Sequence, residues 1–144
     1  MKTKHFIQLL DHPRIESAIA AAEAKTSGEI RVVVQHRPVD DAVSFAQAEF
    51  FRLGMQKTRD RNAVLLFVAP ASQSFAIIGD EGVHQKCGNE FWNQLAAAMQ
   101  ADFRREDYTG ALVGGIERAG ALLAGHFPRR PDDTNELPDR VIEQ

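Results

Sequence analysis

Cysteine is nearly absent: the 144-residue chain has one, Cys87. A single thiol excludes an internal disulfide framework and every multi-cysteine zinc pattern. No apolar run reaches the ~20 residues that a membrane helix needs. The longest Gly/Ala/Leu-rich stretch, Ala111 to Gly125, is broken by Glu117 and Arg118. The segment Met1 to Asp11 holds too short an apolar run for a secretory h-region, and no small-residue cleavage site follows. A strong excess of one charge sign is also missing. Lys and Arg total 17 against 20 Asp and Glu, a net charge of −3, which argues against a general nucleic-acid binder. These absences predict a soluble, cytoplasmic protein with no membrane span and no nucleic-acid partner. Enzyme signatures are missing as well. There is no phosphate-cradling G-x-x-x-x-G-K-[ST] loop, no G-x-G-x-x-G after the first predicted strand and no G-x-S-x-G elbow. The five histidines show no metal-ligand spacing.

What is present is an ordinary globular composition, 44% hydrophobic and 26% charged, with nine Phe. A chain of this length buries enough surface to fold as one domain without a staple. That domain is expected over residues 1–128, followed by a polar tail over 129–144 that carries Pro131, Asp132, Asp133 and Pro138.

Periodicity places the elements. A helix is predicted from Asp11 or His12 to near Lys25, with Pro13 in its first turn and Ile15, Ala18, Ile19 and Ala22 on one face. Glu29 to Gln35 is β-branched and reads as a strand. A second helix runs from Asp40 or Asp41 to about Met55, with Val43, Ala46, Phe50 and Leu53 inward. Ala63 to Ala69 is a continuous apolar run ending at Pro70, the pattern of a strand covered on both faces. Strand, helix and buried strand make a parallel βαβ unit. The link at residues 70–73 is too short for another crossover, so Ser74 to Ile78 returns antiparallel. A short helical piece follows at Val83 to Lys86. A long helix from Gly88-Asn89 then turns Trp92 (or, alternatively, Phe91), Leu95, Met99 and Phe103 inward. The last helix begins at Asp107 or Thr109, with Leu112, Ile116, Ala119 and Leu123 on one face. Five of the ten glycines fall between Gly110 and Gly125. Each costs a helix interior ~1 kcal/mol relative to Ala, which close backbone approach would offset. The expected class is α/β: a three-layer α/β/α sandwich around a small mixed sheet with one βαβ unit and one antiparallel hairpin strand.

Chemistry is confined to carboxylates at element ends. Parallel and antiparallel directions together bring Glu29, Asp60, Asn62, Asp80 and Glu81 to one edge of the sheet. Hard cations take several oxygen ligands from turns, so these five residues are the candidate ligands of a Ca²⁺ or Mg²⁺ ion. The same residues also suit solvated turns and caps. In the cation reading, Asp60 and Asp80 would repel each other in the metal-free protein. Arg59 and Arg61 flank Asp60 and would either contact phosphate or balance the carboxylates.

In order along the chain, several segments resemble the TPM domain family. They are Thr26-Ser27-Gly28-Glu29-Ile30, Leu53-Gly54-Met55, the run Arg61 to Ala69, and Phe75 to Gly82. Phe103 to Leu112 and Gly115-Ile116 continue the set, and coverage is about residues 5 to 140. His126-Phe127-Pro128 and Asn135-Glu136-Leu137-Pro138-Asp139 resemble a compact, soluble bacterial subgroup. The resemblance implies an α/β/α sandwich and, in some members, divalent metal binding and acid phosphatase activity. Relatives commonly have Asn-Gly before the central strand, where this chain has Asn62-Ala63.

Two functions follow as expectations. The first is a divalent-cation-binding module with a binding or accessory role. The second is a metal-assisted phosphomonoester hydrolase in which Arg59 or Arg61 neutralises developing charge.

Overall fold

The computed structural model describes residues 2–129 and 141–144. The tail residues Pro131, Asp132, Asp133 and Pro138, and the segment Asn135 to Asp139, lie outside the described residues. Among the described residues, six α-helices and four strands follow in the order α1 (Thr3–Leu9), α2 (His12–Glu23), β1 (Glu29–Val34), α3 (Ala42–Arg52), β2 (Ala63–Ala69), β3 (Ser74–Gly79), α4 (Glu81–Cys87), α5 (Asn89–Arg104), α6 (Tyr108–His126) and β4 (Ile142–Glu143). Short 3₁₀ turns at Met55–Lys57 and Pro70–Ser72 flank β2.

The sheet order is β3-β2-β1-β4. β1 and β2 run parallel with Glu29 opposite Ala63 and Val34 opposite Val68. β3 returns antiparallel, pairing Val64 with Gly79 and Ala69 with Ser74. The fold is therefore the mixed α/β sandwich expected from the apolar runs.

Alternation along the strands divides the core. Ile30, Val32, Val34, Val64, Leu66 and Val68 face the layer built from α1, α2, α5 and α6. Val33, Leu65, Phe67 and Ala69 face Ala46 and Phe50 of α3 and Met55 of the turn that follows it. Every residue of β2 is buried, because helices cover both of its faces. Glycines set the spacing of the larger helical layer. A Cβ at Gly115 would stand 2.8 Å from the Met99 sulfur, and one at Gly120 would stand 2.6 Å from the Ala22 Cβ. The glycines of α6 thus let α5 and α2 approach closely, as their cost in helix propensity implied.

Three features differ from the sequence expectation. The N-terminal segment forms α1, which buries Phe6 and stacks its ring 5.0 Å from Tyr108. This short helix is held by packing across the chain, without a side-chain cap of its own. Val43 is 51% exposed. Ala46, Phe50 and Leu53 pack inward as expected, joined by Ala42 and Phe45, and of the expected stripe only Val43, in the capped first turn of α3, faces out. Finally, Ile142–Glu143 pair in parallel with Val33 and Val34. Gln144 fixes that edge: its backbone bonds Val34 and His36, and its side-chain amide meets Gln35 and Glu49.

Candidate functional site

The parallel register brings the starts of β1 and β2 together, and β3 ends beside them. The Asp80 N–H donates to the Ala63 carbonyl at 2.9 Å. Three loops, 26–28, 58–62 and 80–82, therefore meet at one edge, as strand directions required. Their side chains sort into two groups.

The first group centres on Asp60. Asn62 is 1% exposed, and its N–H donates to Thr58 Oγ1 at 3.2 Å. The Asn62 amide donates to Ser27 Oγ at 3.2 Å, and Ser27 Oγ donates to Asp60 Oδ2 at 3.5 Å. The loop carrying Ser27 is itself anchored. The Ser27 N–H bonds the Phe127 carbonyl at 2.9 Å, the Thr26 hydroxyl donates to the same carbonyl, and the Gly28 N–H donates to Thr26 Oγ1 at 3.0 Å. Glu29 opens β1 and is buried, 2% exposed.

The second group is an ion pair. Arg61 clasps Asp80 with two parallel bonds, Nε to Oδ2 at 2.7 Å and Nη2 to Oδ1 at 2.8 Å. This bidentate geometry is the strong form of a guanidinium–carboxylate contact. Glu81 lies 3.6 Å from the same guanidinium. Hydrogen bonding to Asp80 holds Arg61 even more firmly protonated than an ordinary arginine. Asp80 also caps α4, accepting from the Glu81 N–H at 2.8 Å.

Backbone shape makes the clasp possible. Arg61 adopts φ +52°, a left-handed conformation uncommon for a long side chain. The left-handed position of this turn falls on Arg61, so Asn62-Ala63 needs no glycine. Gly82 locks the loops: its N–H donates to the Arg61 carbonyl at 2.9 Å. A Cβ there would fall 2.3 Å from the Asp60 carbonyl and 2.6 Å from that of Arg61.

The five candidate ligands thus share an edge without forming one cluster. Among the described residues, no group of three or more His, Cys, Asp or Glu side chains is placed to hold a metal ion. Arg61 already offsets the charge of Asp80. Arg61 faces carboxylates, the balancing role, while Arg59 is exposed on the same loop. Ser27, Thr58 and Gly82 were not singled out by sequence reasoning. The Thr26-Ser27-Gly28 turn and the glycine two residues after Asp80 were the available signals. Burial pushes the Cys87 thiol up, which disfavours the reactive thiolate form.

The TPM domain model matches residues 2–122. The chain belongs to the TPM domain family. This TPM domain is similar to the BA42 protein of the psychrophilic bacterium Bizionia argentinensis, solved by NMR. The two are 36% identical, with a TM-score of 0.87, and the match covers 94% of this chain and 96% of that one. A more distant likeness is the N-terminal domain of the cg2496 protein of Corynebacterium glutamicum, at 19% identity and a TM-score of 0.61. It covers 77% of this chain and 70% of that one, and it shows the fold alone. No functionally curated protein matches the sequence. Among the described residues, no helix is long and apolar enough to cross a membrane.

Proposed function

We propose that this TPM domain is a cytoplasmic binding module whose loop edge takes up a divalent cation, Ca²⁺ or Mg²⁺, at Asp60. The observation that carries the reading is the placement of the Asp60 carboxylate at the loop junction. Ser27 Oγ donates to Asp60 Oδ2 at 3.5 Å and accepts from the Asn62 side-chain N–H at 3.2 Å, which positions both oxygens. Hard cations take oxygen ligands supplied from turns, carboxylates first among them. The fit is to a weak site with Asp60 as its charged anchor. Asp80 and Glu81 engage Arg61 instead and serve to hold the loop. A bound ion supplies local positive charge, and the chain's own residues position the loops around it.

Melting temperature tests this. A ligand that binds only the folded state stabilises it, by roughly 2.7 kcal/mol at a hundredfold excess over Kd, and so raises the melting temperature. Wild type is expected to melt higher in about 10 mM Ca²⁺ or Mg²⁺, a range suited to weak sites, than in chelator, and Asp60→Asn is expected to lose the difference. Equal wild-type melts in both conditions would overturn the reading. Cation-dependent phosphate release from a phosphomonoester, abolished in Asp60→Asn, would replace the binding role with a hydrolytic one.

A further inference from the structure

The opposite edge of the sheet holds a cavity of about 450 Å³, within the range of roughly 300–1,000 Å³ usual for small-molecule sites. It lies beyond the carboxyl end of β2, between Val68 and Phe75 on one side and the α5–α6 turn on the other. Ligands of open α/β sheets bind outside the carboxyl ends of the strands, whereas the Asp60 loops lie at the amino ends of β1 and β2. The two regions are independent.

The lining is chemically specific. One wall is aromatic: Phe75 and Phe103 have ring centroids 5.2 Å apart, Phe103 and Tyr108 are 6.4 Å apart, and Phe6 lies 5.0 Å from Tyr108. Arg104 and Glu106 also line the cavity. Among the described residues, neither forms an ion pair. Ser74 also borders the cavity. Two lining residues are also held in left-handed backbone, Gln73 at φ +49° and Glu106 at φ +62°. Both close a helical turn: the Gln73 N–H bonds the Pro70 carbonyl after Pro70–Ser72, and the Glu106 N–H bonds the Phe103 carbonyl after α5.

We propose that this cavity binds a small aromatic zwitterion, in chemical class an aromatic α-amino acid. The ring lies against the Phe75–Phe103–Tyr108 wall, the carboxylate meets Arg104, and the ammonium meets Glu106. One cation and one anion beside an apolar wall match a ligand carrying both charges and a planar ring.

Amide NMR titrations of the full chain test it with three probes: L-phenylalanine, 3-phenylpropionate, which lacks the ammonium, and phenethylamine, which lacks the carboxylate. L-phenylalanine is expected to shift amides 73–75 and 103–108 and to bind about fivefold tighter than either half-molecule. That factor is roughly what one charge-assisted bond contributes. Arg104→Gln should remove its advantage over phenethylamine, and Glu106→Gln its advantage over 3-phenylpropionate. Both side chains are exposed, so neither variant threatens folding, and each melt verifies that. The proposal is overturned if those amides stay fixed in about 10 mM L-phenylalanine, a concentration well above the millimolar affinities of weak binders. It is equally overturned if both variants bind all three probes as wild type does.

Discussion

Replacing Gly82 by alanine adds one methyl group at the tightest point of the Asp60–Asp80 edge. That methyl carbon would fall 2.3 Å from the Asp60 carbonyl oxygen and 2.6 Å from the Arg61 carbonyl oxygen. Both are backbone atoms, so no side chain can swing away to make room. The N-terminus of α4 must then move from the 58–62 loop. Movement also breaks the 2.9 Å bond from the Gly82 N–H to Arg61, a loss of ~1 kcal/mol. Overpacking adds ~1–3 kcal/mol. Together Gly82→Ala should cost about 2–4 kcal/mol. At about 4 °C per kcal/mol for a chain of this size, the melting temperature should fall by about 8–16 °C, read by circular dichroism. Gly125 is the control. Nothing lies within 4 Å of a Cβ built there, so alanine should stabilise by ~0.5–1 kcal/mol through helix propensity alone. A Gly82→Ala melt within about 2 °C of wild type would refute the described meeting of the two loops.

Further expectations concern other contacts. Gly115→Leu should destabilise by more than ~1–3 kcal/mol, because its Cβ alone would already stand 2.8 Å from the Met99 sulfur; an unchanged thermal melt would contradict the close α5–α6 approach. Arg61→Ala should lower the melting temperature in chelator, since it leaves the Asp80 carboxylate, 5% exposed at its side chain, without its clasp; a melt equal to wild type would show the pair to be idle. Glu49 gives a pH dependence. Burial opposes its charge, but hydrogen bonds from Arg52 and Gln144 and the charge of Arg52 outweigh this and bring its pKa below the usual 4.5. A depressed folded pKa contributes stability that is present above the unfolded value and is lost as pH falls through the folded one. The stability gap between wild type and Glu49→Gln, measured by denaturant unfolding, should therefore be widest near neutral pH and shrink below 4.5; a gap independent of pH would contradict it.

Legibility in the sequence followed the range of the interactions. The run Ala63 to Ala69 announces a doubly covered strand because burial on both faces removes polar alternation. Its short link to Ser74 leaves only an antiparallel return. Those two facts place Glu29, Asp60, Asn62, Asp80 and Glu81 at one edge of the sheet from strand directions alone. The Arg61–Asp80 clasp was not legible, since it depends on a left-handed backbone at Arg61, and arginine carries no signal for that. α1 escaped notice for a similar reason: its seven residues are stabilised by Phe6 meeting Tyr108 across the chain. β4 is two residues long, and its pairing rests on backbone groups and Gln144. The aromatic cavity was equally hidden, because its walls come from segments near residues 6, 70–75 and 100–108.

The central claim is that Asp60 anchors a cation site at this loop edge. Its most direct measurement is an amide NMR titration of wild type and Asp60→Asn with Ca²⁺ and with Mg²⁺, up to about 10 mM, the range suited to weak sites. The account predicts saturable shifts confined to residues 27–29 and 58–62 in wild type, and none in Asp60→Asn. Fixed wild-type amides, or the same shifts in both proteins, would contradict it.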